Sequence, residues 1–479
     1  MKRSVDRWAL PIVLLAVLAA AALSFGGCGK SSSSSSAAPP ADDDASPADD
    51  DDDNDASPDD DDNDDSSPDD DASPADDDSD SIVVTPAARM IPATTTFAYA
   101  ASGTIGGHPV TSGFTWTIDD QTIATVDQTG LVKGVKNGKT LVHAAIGQVT
   151  GDATVLVGPD VYTFDNQGGV LEAIDRGSQT AVPDLLGAGQ IGALLNDIKY
   201  DNGQLLLTDS GSGKPTPNGK EKLIVVTLDG LTYVDVPLTL AAPWAAAPLN
   251  GKAYVTGNLS NQLAKVDLAD PVNTPVVYFT LDSGCAPAGV IAANDLIFIA
   301  CTGFDLSNDT YGSGQVIVFD PTQAQIKQRI PIATLDPAYF AVTADGAKLY
   351  LVSSGDFASN KGGVAQIDPS GLTVVDSFAL GSAPGPISIG SSGLAFVGEG
   401  LAGDVYVFDT SDNTVLRDAD NPIVIANAEW VQALGVHPAT GDAYVCDQGD
   451  SVVWAIHGAD PYAVDFHVAL NSPGGVAFW

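Results

Sequence analysis

The chain has 479 residues and a formal net charge of −42. It is too long for one ordinary domain, and too acidic for a nucleic-acid partner, because phosphate binding needs clustered Lys and Arg. Twenty-two of the aspartates fall between Asp42 and Asp80, so much of the charge belongs to one tract that stands apart from the fold. Glutamate is limited to Glu172, Glu221, Glu399 and Glu429, while Gly, Thr, Val and Asp abound, which favours strands and turns over helices.

Residues 1–28 read as an export signal. Lys2, Arg3 and Arg7 make a positive start, an apolar run of about 17 residues follows, and the small pair Gly26-Gly27 precedes Cys28. Phe25-Gly26-Gly27-Cys28 resembles the lipobox of a bacterial lipoprotein, with Phe25 where an aliphatic residue is usual. The resemblance implies cleavage before Cys28 and lipidation of that residue, so the membrane becomes a partner through the acyl chains. Gly29, rather than Asp, follows the cysteine, which leans toward an outer-membrane or cell-surface location. The alternative is an uncleaved anchor, for which the apolar run is short.

Residues 29–81 are Ser, Ala, Pro and Asp in imperfect repeats such as DASPADDD. Such a tract has nothing with which to form a core, and its like charges keep it expanded. It is expected to be a solvated spacer that lifts the folded parts off a membrane, reaching about 165 Å if fully extended at ~3.3 Å per residue. A calcium-binding tract is the alternative, although the fixed glycine and alternating ligands of a formed calcium loop are missing.

Residues 82–157 alternate apolar and polar side chains between Asp-Gln-Thr-Gly and Lys-Asn-Gly turns, the pattern of a small sandwich. Trp116, Ile123-Ala124-Thr125-Val126-Asp127, Gly130-Leu131-Val132-Lys133-Gly134 and Gly138 together resemble the group 2 bacterial immunoglobulin-like domain. The resemblance implies a stalk of the kind found on surface proteins, with Trp116 in its core.

Residues 158–479 carry a repeat. An apolar run, a Gly-rich turn and an alternating run closing in Asp recur at Asp267, Asp320, Asp368 and Asp409, with diverged copies at Asp175, Asp229 and near His457. The spacing of roughly 38 to 54 residues is that of propeller blades. Inner strands are expected to start at Gly192, Trp244, Ala288, Ala338, Gly385, Trp430 and near Gly474, several of them introduced by proline, which suits a strand's first residue. The region opens with what reads as a second strand, and SPGGVAFW at the C-terminus reads as a first strand. Together they make one blade, giving seven and closing the ring. AYVTGN at 253–258 and AYVCDQ at 443–448 resemble YVTN-type seven-bladed propellers. The expected fold class is therefore all-β, with an immunoglobulin-like sandwich followed by a propeller.

The repeat-closing aspartates sit in turns such as FDPTQ, where the carboxylate bonds backbone N–H groups two residues on; they are read as structural. Cys285 and Cys301 fall on adjacent strands of one blade and are candidates for a disulfide, while Cys446 reads as a buried free thiol and His437 as a turn residue. The histidines lack zinc spacing. SGSGKPT at 210–216 lacks the required glycine and hydroxyl of a phosphate loop. Asp305 and Asp309 in FDLSNDTYGSG are weak calcium candidates, with a long surface loop as the alternative. Three long turns, Gly211–Lys222, Gly303–Gly314 and Gly355–Gly363, rise on the rim where the inner strands start. Trp244, Tyr339 and Trp430 lie near that rim, where they either clamp a peptide, protein or glycan ligand or pack between blades. With no catalytic constellation, non-catalytic binding or adhesion is the expected role. The alternatives are a metal-dependent lactonase-like or lyase-like enzyme and an envelope scaffold.

Overall fold

The computed structural model describes residues 80–479 apart from residues 94, 193, 358–361 and 382. The export signal with Cys28, and all but the end of the spacer, lie outside the described residues. Every regular element among them is a strand.

Residues 81–158 form three small sheets. Ser81–Thr85 pairs with Ala100–Ile105, which pairs with His108–Val110; Ala88–Pro92, Val149–Gly158, Gly138–Ile146 and Thr115–Ile118 lie side by side in that order; Thr96–Ala98, Leu131–Gly134 and Ala124–Val126 make the third. Alternation drives the packing. In Ser81–Thr85 only Ile82 and Val84 point inward, and they meet Val132, Val142, Val155 and Trp116 in one core. Trp116 is 6% exposed. Gly130 lies beneath it at φ +83°, where a Cβ would fall 2.8 Å from the indole ring, so both the backbone conformation and the close approach demand glycine.

Residues 161–478 form seven four-stranded antiparallel sheets. The inner strands are Leu195–Asp201, Pro243–Leu249, Pro287–Ala293, Pro337–Val342, Pro384–Ile389, Val431–Val436 and Pro473–Phe478. Each touches the next, and Pro473–Phe478 touches Leu195–Asp201. The C-terminal strand pairs with Val161–Asp165 and so supplies the inner strand of the first sheet. Second and third strands lie between neighbouring sheets and are apolar on both faces: Leu296–Cys301 and Gln315–Asp320 are buried along nearly their whole lengths. An outer strand such as Thr373–Phe378 is mostly exposed. One apolar cluster fills each of the seven gaps between sheets, including that between the seventh and the first. Each fully buried Val, Leu or Ile in them contributes about 1.5–3 kcal/mol.

Several details differ from expectation. The inner strand of the second sheet starts at Leu195, not Gly192. Gly192 precedes it, pressed against the Asp209 carboxylate. The stretch FDLSNDTYGSG is not a plain surface loop but a short hairpin, Phe304–Asp305 against Thr310–Tyr311, closed by ring contact between Phe304 and Tyr311 at 5.1 Å. Cys285 does not start an inner strand. It sits in a turn two residues earlier, its N–H donating to the Asp282 carbonyl at 3.1 Å.

The repeat-closing aspartates behave as turn residues. Asp175, Asp267, Asp320, Asp368 and Asp409 each accept the N–H two residues on, at 2.8–3.0 Å. Asp229 has a different task. It accepts from Arg89 Nη1 at 2.7 Å and from the Met90 N–H at 2.9 Å, pinning the sandwich to the second sheet. Met90 also packs on Gly158 and accepts from the Tyr162 hydroxyl at 3.5 Å. Only two residues separate the last sandwich strand from Val161–Asp165.

Candidate functional site

The seven inner strands line a central channel with a cavity of about 500 Å³. Its wall mixes apolar residues such as Ala246, Ile291, Phe340 and Val476 with the polar Asn196, Ser388 and Gln432. Asp197 and Lys199 supply its charges, and they are paired at 2.9 Å. A smaller pocket of about 50 Å³ opens at the end where the inner strands begin.

Trp244 from the third sheet, Tyr339 from the fifth and Trp430 just before the inner strand of the seventh all border this mouth pocket, with Phe357, Asn166, Asn196 and Gln432. The three rings are half-buried, and Trp244 and Tyr339 also pack on the apolar clusters beside their own sheets. They therefore line the opening while their bodies are braced by the blades. The bracing starts in the backbone. The ladder register shifts between Pro243 and Ala246, between Pro337 and Tyr339 and between Val431 and Ala433, and such irregularities re-aim the side chains beside them. The Trp244 carbonyl accepts from Thr208 Oγ1 at 2.8 Å, and the Pro243 carbonyl accepts from Asn196 Nδ2 at 2.8 Å.

Behind the mouth lies a set of buried carboxylates. Asp165, Asp209, Glu399 and Asp447 end second strands at this rim, and Asp336 immediately precedes the fifth inner strand. All are buried. Asp165, Asp209 and Glu399 accept backbone N–H groups of the turns that follow them. Asp447 accepts the Asp450 N–H at 3.4 Å, and its Oδ2, like that of Asp336, which is 1% exposed, is buried without a partner. Burial pushes the Asp336 carboxyl up to about 7. Burial and the Asp336 charge together raise the Tyr339 phenol above its ordinary value, and both act on Tyr311 of the hairpin as well. On the far side of the first sheet, burial followed by the Asp165 charge raises Glu172 to about 7.

The long turn after Asp209 is built around Glu221. Its carboxylate accepts N–H groups of Asn218, Gly219 and Lys220 at 2.9–3.1 Å. Burial pushes its pKa up, but these bonds outweigh it and hold the group below the usual carboxylate range. Asp305 is likewise engaged by its own turn, accepting from the Ser307 N–H at 2.9 Å and Asn308 Nδ2 at 2.6 Å, and Asp309 sits at φ +53° in the same turn. Among the described residues, no three His, Cys, Asp or Glu side chains are grouped to hold a metal.

Cys285 and Cys301 are joined by a disulfide, with Cα atoms 4.5 Å apart. It lies in the cluster between the third and fourth sheets that also supports Trp244. Cys446 is fully buried, donates to the Gly475 carbonyl at 3.6 Å, and its thiol is pushed up to about 12 by burial; no thiolate is at hand for chemistry. His437 is buried in its turn, with Nε2 3.1 Å from Asp160 Oδ2 and Nδ1 accepting from Ala439 and Thr440 N–H groups.

Sequence reasoning did not single out Asp336 or the amides Asn166, Asn196 and Gln432. One pattern points to Asp336. The residue before the inner-strand proline is Ala242, Ala286 and Ala383 in three sheets and Asp336 in the fifth, so a charge replaces a methyl group at a buried place.

Residues 82–157 match the family model of the bacterial Ig-like domain (group 2). No curated protein sequence matches the chain. Among solved structures the chain is similar to a protein from Lactobacillus plantarum, at 12% identity and a TM-score of 0.53, over 67% of this chain and 100% of that one. It is also similar to hydrazine synthase of Kuenenia stuttgartiensis, at 14% identity and a TM-score of 0.48, over 59% of this chain and 89% of that one. A third similarity is to streptogramin B lyase, at 14% identity and a TM-score of 0.46, over 59% and 87%. At 12% identity the first likeness concerns the fold alone.

Proposed function

We propose that the protein is an exported, lipid-anchored surface protein whose channel mouth captures a ligand without chemistry. The observation that carries this reading is the meeting of Trp244, Tyr339 and Trp430, from three separate sheets, on one opening edged by side-chain amides. Aromatic walls with a few amides bind by contact area and oriented hydrogen bonds. Among the described residues that line the mouth, the one aliphatic hydroxyl is Ser354, and no His, Cys, Lys, Asp or Glu stands with it in the lining, so no base-activated nucleophile is assembled from them. The anchor is Cys28 and the spacer is the acidic tract; the immunoglobulin-like domain serves as the stalk, and its direct docking through Asp229 makes stalk and propeller one presenting unit.

Two measurements test the parts separately. A Cys28→Ala variant should move from the membrane fraction to the soluble fraction, and unchanged fractionation overturns the anchor. Purified protein should bind members of a glycan and peptide panel, and a flat panel overturns capture.

A second reading, an exported propeller enzyme of lactonase or lyase type, draws its support from Asp336, a carboxyl that keeps its proton up to about pH 7 near the Tyr339 phenol and so suits acid–base work. Metal analysis and lactone turnover by the pure protein distinguish it: a stoichiometric, tightly held divalent ion together with turnover favours the enzyme over simple capture.

A further inference from the structure

We propose that the channel mouth takes an organic ammonium group, seated among Trp244, Tyr339 and Trp430; this deepens the ligand-capture reading and rests on it.

Three observations converge. First, the three rings border one small opening and remain half-buried, so each keeps part of its surface on that opening. Aromatic faces carry negative quadrupole charge and attract cations, Trp most strongly. Second, among the described residues no Lys, Arg or His lines the mouth pocket, and the one described basic side chain in the wider channel, Lys199, is held by Asp197 at 2.9 Å. Third, carboxylates stand directly behind the lining. Asp165 precedes Asn166, Glu399 precedes Gly400, and Asp447 is the ladder partner of Val431. Asp336 stands closest in effect, because its charge acts on the Tyr339 phenol and its Oδ2 is buried without a partner. A concave, low-dielectric rim carrying one sign of charge focuses its field into the opening. An anionic head group meets that field as repulsion, and a neutral one gains nothing from it. The pocket of about 50 Å³ suits one head group, with the stem of the ligand continuing into the channel below along apolar residues such as Ile291 and Phe340. A primary or methylated alkylammonium has that shape. It can be a free amine or the side chain of a lysine in a peptide, and the chemistry at the mouth is the same.

The test is titration calorimetry on the full mature chain at pH 8 and fixed ionic strength, with four probes: n-butylammonium chloride, n-butanol, a lysine-containing tetrapeptide and its Nε-acetylated counterpart. The expected result is that each cation binds about tenfold or more tighter than its neutral partner. Trp430→Phe and Trp244→Phe, which keep an aromatic body, should each weaken the cation more than its neutral partner and so lower the cation-to-neutral ratio several-fold. Asp336→Asn should lower the cation-to-neutral ratio in the same direction. Melting temperatures of all three variants are read first, so that a loss of fold is not taken for a loss of site. Binding of n-butylammonium assigns the site to free amines, and binding of the lysine peptide alone assigns it to a side chain; either supports the proposal. Equal affinity for charged and neutral probes, or a ratio unmoved by all three substitutions, overturns it. If neutral glycans or peptides then bind with sensitivity to Trp430, ligand capture stands without the ammonium preference. If no probe of any charge binds, both fall.

Discussion

Replacing Asp336 with Asn should shift stability in favour of the variant as pH rises from about 4 to about 7. The carboxyl is 1% exposed, has an unpartnered oxygen and is raised by burial from 3.8 to about 7. Below pH 3.8 it is protonated in both the folded and the unfolded chain and costs nothing on this account. Between those values the unfolded chain releases the proton while the folded chain holds it, so stability falls by about 1.4 kcal/mol per pH unit. Above about 7 both states are ionised and the cost is constant at about 4 kcal/mol. Asn keeps the shape and has no charge to bury. Because its new N–H₂ brings its own pH-independent cost, the informative quantity is a difference of differences. Urea unfolding of wild type and variant at pH 4.5 and pH 8 should give an advantage for Asn that grows by about 3 kcal/mol across that interval. Glu172 contributes a similar slope to both proteins and cancels. Parallel pH profiles for wild type and variant would refute the burial argument and show that the Asp336 charge is compensated.

Three other expectations follow from single contacts. The disulfide between Cys285 and Cys301 closes a loop with a sequence separation of 16, so the Cys285→Ser, Cys301→Ser double variant should lose about 3 kcal/mol, read as a lower urea midpoint than the oxidised protein. Gly130→Ala places a Cβ against Trp116 at φ +83° and should cost the sandwich more than about 1 kcal/mol, seen as an earlier unfolding step by Trp116 fluorescence; an unchanged transition contradicts the assigned fit. Asp229→Ala removes both bonds to Arg89 and Met90 and should loosen the stalk from the propeller, read as an increased radius of gyration in solution scattering with the melting of the propeller unchanged.

The propeller is legible because its physics is written locally. A strand buried on both faces has to read like FIAC or VIVF, each turn that closes a unit needs an Asx residue, and an inner strand accepts proline as its first residue, at 243, 287, 337, 384 and 473. The C-terminal SPGGVAFW is legible for the same reason, as an apolar run introduced by proline like the other inner strands. Gly192 was a poorer guide than Pro243, because the second sheet has no proline to mark its start and Leu195 looks like any apolar residue. What sequence does not carry is burial of a charge. Asp336 sits in LDPAY and reads as an ordinary turn residue, and only its packing makes it an unpaired carboxyl. Asp229 looks like its repeat mates, yet its partner Arg89 lies 140 residues away, a distance no periodicity spans. Trp244, Tyr339 and Trp430 fall between these cases. Their place at the rim follows from the strand starts, but their convergence on one opening is set by packing between sheets, which appears only in three dimensions.

The central claim is that the rim aromatics form the ligand-binding surface, and one measurement addresses it most directly. Wild-type protein and the Trp244→Ala, Trp430→Ala double variant are passed over the same glycan and peptide panel, with melting temperatures recorded for both. The account predicts binding by the wild type that the variant loses while its propeller still unfolds cooperatively. Binding retained in full by a folded double variant would contradict it and move the site away from the channel mouth.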